Sequence, residues 1–326
     1  MSTVLITGGA GYIGSHAVYA FLDAGCDVVV IDDLSTGVRS NLPETIAFYE
    51  GDVGDRELVG RIARDHRIEG VLHFAGSVVV PESVTNPIKY YRNNTSRSLE
   101  MIDTLTSCGV QYVLFSSTAA VYGIPERVPV TEETPLKPIN PYGWSKLFFE
   151  QQLRDVGAAQ ALIYGILRYF NVAGADPKGR TGQSTPQATH LIKVACQTAT
   201  GQRDGMSVFG TDYGTRDGTC VRDFIHVSDL AEAHVAVYKL LRSAGKSCTF
   251  NCGNGKGYSV REVIRTVEEA TGSPLQLTYE GRRAGDPPEL IADPSLLLKS
   301  MPWRPRYSLA DMVESALEWE RKQGGQ

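Results

Sequence analysis

The chain has 326 residues, 42% of them apolar and 21% charged, a composition that supports a folded core and excludes the disordered and collagen-like classes. Its formal net charge of -5, with no run of basic residues, leaves no electrostatic footprint for nucleic acid, which is not expected as a partner. No apolar run approaches the ~18 residues of a membrane helix, no export signal precedes the first strand, and the cysteines form no CxxC pair, so no membrane contact and a reduced, cytoplasmic location are expected. In chain order, β-branched runs at 4–7, 28–31, 71–74 and 113–116 alternate with amphipathic stretches, and 162–167 reads as another strand. Strands apolar at every position need cover on both faces. The fold class predicted is therefore α/β, a Rossmann-type doubly wound parallel sheet with a smaller C-terminal α/β lobe. From Asn171 the rhythm gives way to a stretch rich in Gly, Pro, Thr and Gln, and 210–218 reads as a second loop. This places a dinucleotide-binding domain at 1–173, rejoined around 221–252, and a substrate domain at 174–220 and 253–326. In the latter, Ser259 and Glu262 predict a capped helix through Ala270, and Ser308 opens a closing helix that carries Trp319.

The first chemical motif is Thr7-Gly8-Gly9-Ala10-Gly11-Tyr12-Ile13-Gly14, between the first strand and a helix that runs toward Ala24. Glycines at 8, 11 and 14 permit a tight turn and a close approach of backbone to a pyrophosphate. The N–H groups and dipole of the helix start then stabilise its charge. Such a pattern is weak alone, but Asp32 ends the second strand where the fold sets an acid against the adenosine ribose. Asp32 and Asp33 together would repel a 2′-phosphate, which favours NAD over NADP, while Arg39 nearby keeps that question open. Asp52-Val53 and Phe74-Ala75-Gly76, at further strand ends, are expected to flank the adenine and the pyrophosphate.

The second motif is Tyr142-Gly143-Trp144-Ser145-Lys146, just after Pro141. Positions i and i+4 share a helical face, so an ammonium stands beside a phenol. A surface lysine and a half-buried tyrosine fit the same letters; the run Ser116-Ser117-Thr118 at a strand's carboxyl edge turns the balance toward a catalytic Thr118, Tyr142 and Lys146. A phenol acting near neutrality needs its pKa lowered by about 3 units, or ~4 kcal/mol. One cation at ~5 Å in an effective dielectric of ~20 supplies roughly 3 kcal/mol, so Lys146 and a nicotinamide cation are expected to suffice. The six histidines form no metal-ligand cluster, and no metal is expected.

TGGAGYIGSH, HFAG, YYRNN, FSSTAAVYG, NPYGWSK, LRYFN, DGTCVRDFIHVSDLA and GRRAGD, in this order along nearly the whole chain, resemble the nucleotide-sugar epimerases of the extended short-chain dehydrogenase/reductase family. The resemblance implies a tightly bound NAD and a UDP-hexose substrate, with UDP-glucose and UDP-galactose interconverted by oxidation at C4, rotation of a 4-keto sugar and re-reduction. It adds Asn93, Ser116 and Tyr169 to the cofactor side. On the substrate side it adds Asn171, Arg222 and Arg283 for the diphosphate and Asp286 for the uridine ribose, with Thr118 and Tyr142 at the sugar. Arginine forks suit phosphate oxygens. Taken singly, each arginine also reads as a solvated surface residue, with Asp223 as the simple partner of Arg222. A homodimer through the segments 90–105 and 142–153 is implied as well.

The chain departs from the family pattern at Val78, where a lysine is common, and at His190, in place of an asparagine. Leu290 stands where some members carry a bulky gate, which leaves UDP-N-acetylhexoses and UDP-xylose open as substrates. A dehydratase or decarboxylase of the same fold is the alternative enzyme, disfavoured because Ala119-Ala120 follow Thr118 where those enzymes place an acid. A protein that binds NAD without turning it over is the alternative outside catalysis, disfavoured by the intact Tyr142 and Lys146.

Overall fold

The computed structural model describes residues 2–185, 189–283 and 286–324. The chain divides into two compact units, the first made of Met1–Gly123, Pro135–Arg168 and Ala231–Phe250, the second of Ile124–Thr134, Tyr169–Leu230 and Asn251–Gln326.

The first unit follows the predicted alternation: β1 (Thr3–Thr7), α1 (Tyr12–Asp23), β2 (Asp27–Asp32), β3 (Ala47–Glu50), α2 (Arg56–Asp65), β4 (Gly70–His73), α3 (Val80–Thr85), α4 (Pro87–Tyr91), α5 (Arg97–Ser107), β5 (Tyr112–Thr118), α6 (Pro141–Ala159) and β6 (Ile163–Tyr169). With β10 (Cys248–Cys252), these strands form a seven-stranded sheet in the order β10-β6-β5-β4-β1-β2-β3. Its registered pairs run parallel, Leu5 lying between Val29 and Val71. One face packs Leu5, Val71, Val113 and Phe115 against Ile62 of α2, Met101 and Leu105 of α5 and Phe149 and Leu153 of α6. On the other, Tyr238 of α8 (Val227–Ala244) meets Phe21 of α1 and Tyr112. Cover on both faces is why these strands could be apolar throughout. The strand order reverses between β1 and β4, and ligands of such sheets bind at that crevice, outside the carboxyl ends of the strands.

The second unit holds β7 (Asn171–Ala173), α7 (Leu191–Ala199), β8 (Met206–Phe209), β9 (Val221–His226), β11 (Gly257–Ser259), α9 (Val260–Thr271), β12 (Leu277–Glu280), β13 (Glu289–Leu290), α10 (Ser295–Ser300) and α11 (Leu309–Gly324). Strand β9 is its spine: β7 and β13 pair with it in parallel and β11 antiparallel, so Arg222 stands in register with Leu290 on one side and Tyr258 on the other. The capping box is present in full. The Glu262 N–H donates to the Ser259 hydroxyl and the Ser259 N–H to the Glu262 carboxylate, the start of α9 that the sequence implies. Its core is Ile192 and Cys196 of α7, Val263 and Val267 of α9, and Met312, Val313 and Leu317 of α11.

Asp223 corrects one expectation. Its fully buried carboxylate accepts the N–H groups of Asn254 (2.8 Å), Gly255 (2.9 Å) and Ala292 (3.1 Å), with Arg222 turned elsewhere. Successive side chains of a strand point to opposite faces, so neighbours along β9 do not pair. Strand β3 and the short β8 and β10 escape the sequence pattern because AFYE, MSVF and CTFNC are too brief to show a period.

Candidate active site

The glycine turn is folded onto the loop after β4. Gly8 takes φ +66°, and a Cβ there would lie 2.6 Å from the Ala75 nitrogen; a Cβ on Gly14 would lie 2.1 Å from the Gly8 carbonyl oxygen. Neither position admits a side chain. Gly11 caps α1 without any side-chain acceptor, so the first N–H groups of the helix face the turn with no intrahelical partner. These are the features a pyrophosphate requires, and the cradle formed by Gly8, Gly11, Tyr12, Ile13 and Gly14 fits one.

Asp32 is buried at the end of β2, where its carboxylate accepts the N–H of Ala10 (2.9 Å) and of Leu34 (2.8 Å). Burial pushes its carboxyl up and those bonds pull it back. It thus fastens the turn. Asp33 is exposed and accepts from Ser35. The Arg39 guanidinium donates to the Pro43 carbonyl (3.3 Å) and lies over the Phe48 ring, so its hydrogen bonds are directed at its own loop. Asp52 pairs with Arg97 of α5 at 2.7 Å, and Val53 packs into the core. Phe74 lies against His234, and the Ala75 N–H donates to the Thr7 hydroxyl at 3.3 Å. His73, fully buried, bridges the hydroxyls of Thr7 and Ser98 at 2.8 Å each; burial and then Lys146 lower its pKa to about 3, so it stays neutral.

Helix α6 starts where the sequence places it, with Pro141 in its first turn and the Asn140 side chain accepting the Gly143 N–H at 2.9 Å. Tyr142 lies beside Thr118, whose hydroxyl accepts the Ala120 N–H at 3.1 Å. Lys146, 3% exposed, donates to the Ser116 carbonyl at 3.0 Å and sits 4.8 Å from the centre of the Phe115 ring. The Ser116 hydroxyl bonds His234 instead. Burial pulls the Lys146 pKa down to about 8 against the pull of Glu150. Burial holds the Tyr142 phenol above its ordinary range, opposed by the neighbouring Thr118 hydroxyl.

Asn94 is a buried residue near the site that the motifs did not single out. Asn93 donates to the Ser77 hydroxyl (3.0 Å), but buried Asn94 accepts the Ser77 N–H (2.7 Å) and donates to the Ser77 carbonyl and the Ser145 hydroxyl. It ties the loop at Gly76 to the turn of α6 that carries Lys146. Both asparagines lie in a π-helical turn, Arg92–Ser96, a deformation common at functional sites.

In the second unit Arg222 donates to the carbonyls of Val221 (2.9 Å) and Pro287 (2.8 Å) and stands 3.5 Å from the Asp286 carboxylate. The Arg283 guanidinium lies 3.6 Å from the centre of the Phe209 ring. Asn171 is exposed at the start of β7, and Tyr169 half-buried at the end of β6. Arg222, Asp286 and Arg283 thus converge on the segments beside β9 and β8. Arg282, another residue the motifs did not flag, holds Asp212 at 2.7 Å and covers the Tyr213 ring. Val78 is exposed, Leu290 is half-buried beside Arg222, and His190, exposed by surface area, bonds Gln183.

A phenol beside a hydroxyl at the carboxyl edge of a doubly wound sheet, with a lysine locked one helical turn on, sets this unit in the short-chain dehydrogenase class. The sequence profile of the NAD dependent epimerase/dehydratase family matches residues 4–253, and the chain belongs to that family. A UDP-glucose 4-epimerase of Azospirillum brasilense is 57% identical over 98% of this chain and 92% of its own length. The crystal structure of a UDP-glucose-4-epimerase from Stenotrophomonas maltophila with bound NAD and formylated UDP-arabinopyranose superposes with a TM-score of 0.96 at 37% identity, covering 100% of this chain and 99% of that one. One from Bifidobacterium longum, in complex with NAD+ and UDP, gives 0.95 at 39% identity over 99% of both chains. No helix among the described residues is long and apolar enough to cross a membrane.

Proposed function

We propose that this chain interconverts UDP-glucose and UDP-galactose with a tightly held NAD. The observation that carries the reading is Tyr142, buried beside Thr118, with Lys146 fixed at i+4 and no acid following Thr118. The glycine cradle with Asp32, Asp33, Asp52, Val53, Phe74–Gly76, Asn93, Ser116, Lys146 and Tyr169 would hold the dinucleotide. When bound, NAD would supply the acceptor and donor of the C4 hydride and a cationic ring that adds to the charge of Lys146. Tyr142 takes the proton from the sugar 4-hydroxyl, with Thr118 bridging phenol and sugar, and returns it once the 4-keto sugar has presented its other face. Lys146 orients the cofactor and keeps positive charge near the phenolate. Arg222, Arg283 and Asn171 hold the diphosphate and Asp286 the ribose. A firm hold on UDP with a loose one on the hexose allows the ketone to turn, and net redox change is zero.

The deciding experiment is incubation of purified protein with UDP-galactose and no added cofactor. Appearance of UDP-glucose is expected; a keto-deoxy product would point instead to the dehydratase, and unchanged substrate would overturn the reading. UDP-N-acetylgalactosamine and UDP-xylose run in parallel define the sugar range that Leu290 leaves open.

A homodimer completes the proposal. Ile88 (67% exposed) on α4 and Trp144 and Phe148 on α6 form an apolar surface together with Tyr91, whose ring lies 5.9 Å from Phe148. Sedimentation should give twice the chain mass, and Phe148→Asp should halve it.

A further inference from the structure

One group in the first unit lies beyond the reacting set and touches every element that carries it. Glu150 follows Tyr142 and Lys146 on the same face of α6, at i+8 and i+4, and is fully buried. Its carboxylate accepts four hydrogen bonds: from the Ser117 hydroxyl (2.5 Å), from Arg168 Nε (3.0 Å), from a terminal nitrogen of Arg168 (2.6 Å) and from Arg154 (2.8 Å). Arg168, on β6, is 2% exposed, donates its remaining nitrogen to the Tyr122 hydroxyl (3.0 Å) and covers that ring. Desolvating such a pair costs several kcal/mol per ion, so it is weak support for stability alone. What it does hold is position.

Ser117 lies between Ser116, whose carbonyl receives Lys146, and Thr118, which neighbours Tyr142. We propose that Glu150, locked by Arg168, is a positioning residue that sets the register of helix α6 against strand β5, and thereby the placement of Tyr142 and Lys146 on Thr118. A misplacement of about 1 Å in such a site costs on the order of 10²-fold in rate. The inference rests on the epimerase reading for its kinetic readout.

Glu150 also acts through charge. The groups facing Lys146 are Tyr142 and Glu150 on its own helix, neutral His73 on β4, and the Phe115 ring and Ser116 carbonyl on β5, so among the described residues Glu150 is the one anion favouring the ammonium. Removing that anion lets burial act unopposed, and Lys146 loses its proton at lower pH.

Two variants separate the clamp from the charge. Ser117→Ala cuts the bond to the strand and leaves the ion pair whole; Glu150→Gln keeps the shape and removes the charge. For Ser117→Ala we expect kcat down about 10-fold, KM for UDP-galactose within about 3-fold, and the alkaline limb of the rate unmoved. For Glu150→Gln we expect kcat down about 10²-fold and the alkaline limb displaced to lower pH. Crystal structures of both should show Lys146 Nζ withdrawn from the Ser116 carbonyl, a readout independent of turnover. Wild-type kcat in Ser117→Ala with the Lys146 to Ser116 contact intact overturns the proposal, and that variant decides it should Glu150→Gln fail to fold. If the parent protein converts no UDP-sugar, the epimerase reading falls alone, and the Lys146 contact in the variants still decides this one.

Discussion

The polar groups of the first unit and those of the second are held in opposite ways. Around Thr118, Tyr142 and Lys146 the polar groups are buried and directed: Lys146 at a carbonyl, Glu150 saturated by four hydrogen bonds, neutral His73 bridged on both sides. Around Arg222, Arg283 and Asp286 the charges are partly exposed and paired with one another or with a ring. Chemistry tolerates little displacement of its reacting atoms, so its groups are fixed before any substrate arrives. Groups that receive a charged ligand are better kept half-solvated, since a buried unpaired arginine would be costly. On the proposed reading, Arg222 and Arg283 would exchange partners when a diphosphate arrives, whereas Tyr142 would not.

The sharpest break of that contrast is Tyr142→Phe. It removes one hydroxyl from a rigid site, so kcat should fall by about 10³-fold while the folded protein retains its NAD, measured as absorbance of the denatured enzyme's supernatant. Loss of NAD in that variant would mean that the first unit is less fixed than described. Next comes pH. Lys146 is charged below about 8 and neutral above it, so activity should decline as pH rises through that value, by about tenfold per unit if one deprotonation governs the limb. A rate that keeps rising past that point would break the link between the buried ammonium and turnover. The smallest effect is expected in the second unit. Arg283→Ala should raise KM about 10-fold with kcat nearly unchanged, and Arg222→Ala should raise it further, because Arg222 also holds the Pro287 carbonyl. Equal losses of kcat from either arginine would erase the distinction between a prearranged site and an exchanging one.

What was legible in the chain follows the same division. The glycine turn, the i and i+4 spacing of Tyr142 and Lys146, Asn140 and Pro141 at the head of α6, and the box of Ser259 and Glu262 are local, each set by a few successive residues and their backbone angles. Asn94 was legible only as half of an asparagine pair; that it, and not Asn93, reaches Ser145 came from the tertiary structure. The bond from Lys146 to the Ser116 carbonyl required knowing where β5 ends.

By itself the sequence determined the alternation of strand and helix, the dinucleotide turn, the acid after β2 and the phenol with its lysine, because period and spacing act over one turn of chain. Only the tertiary structure decided that Asp223 holds three backbone N–H groups instead of Arg222, that Arg39 turns to its own loop, and that Glu150 finds Arg168 and Ser117. Those choices depend on burial and on partners from distant segments, and a buried charge must be satisfied by whatever the fold brings within reach.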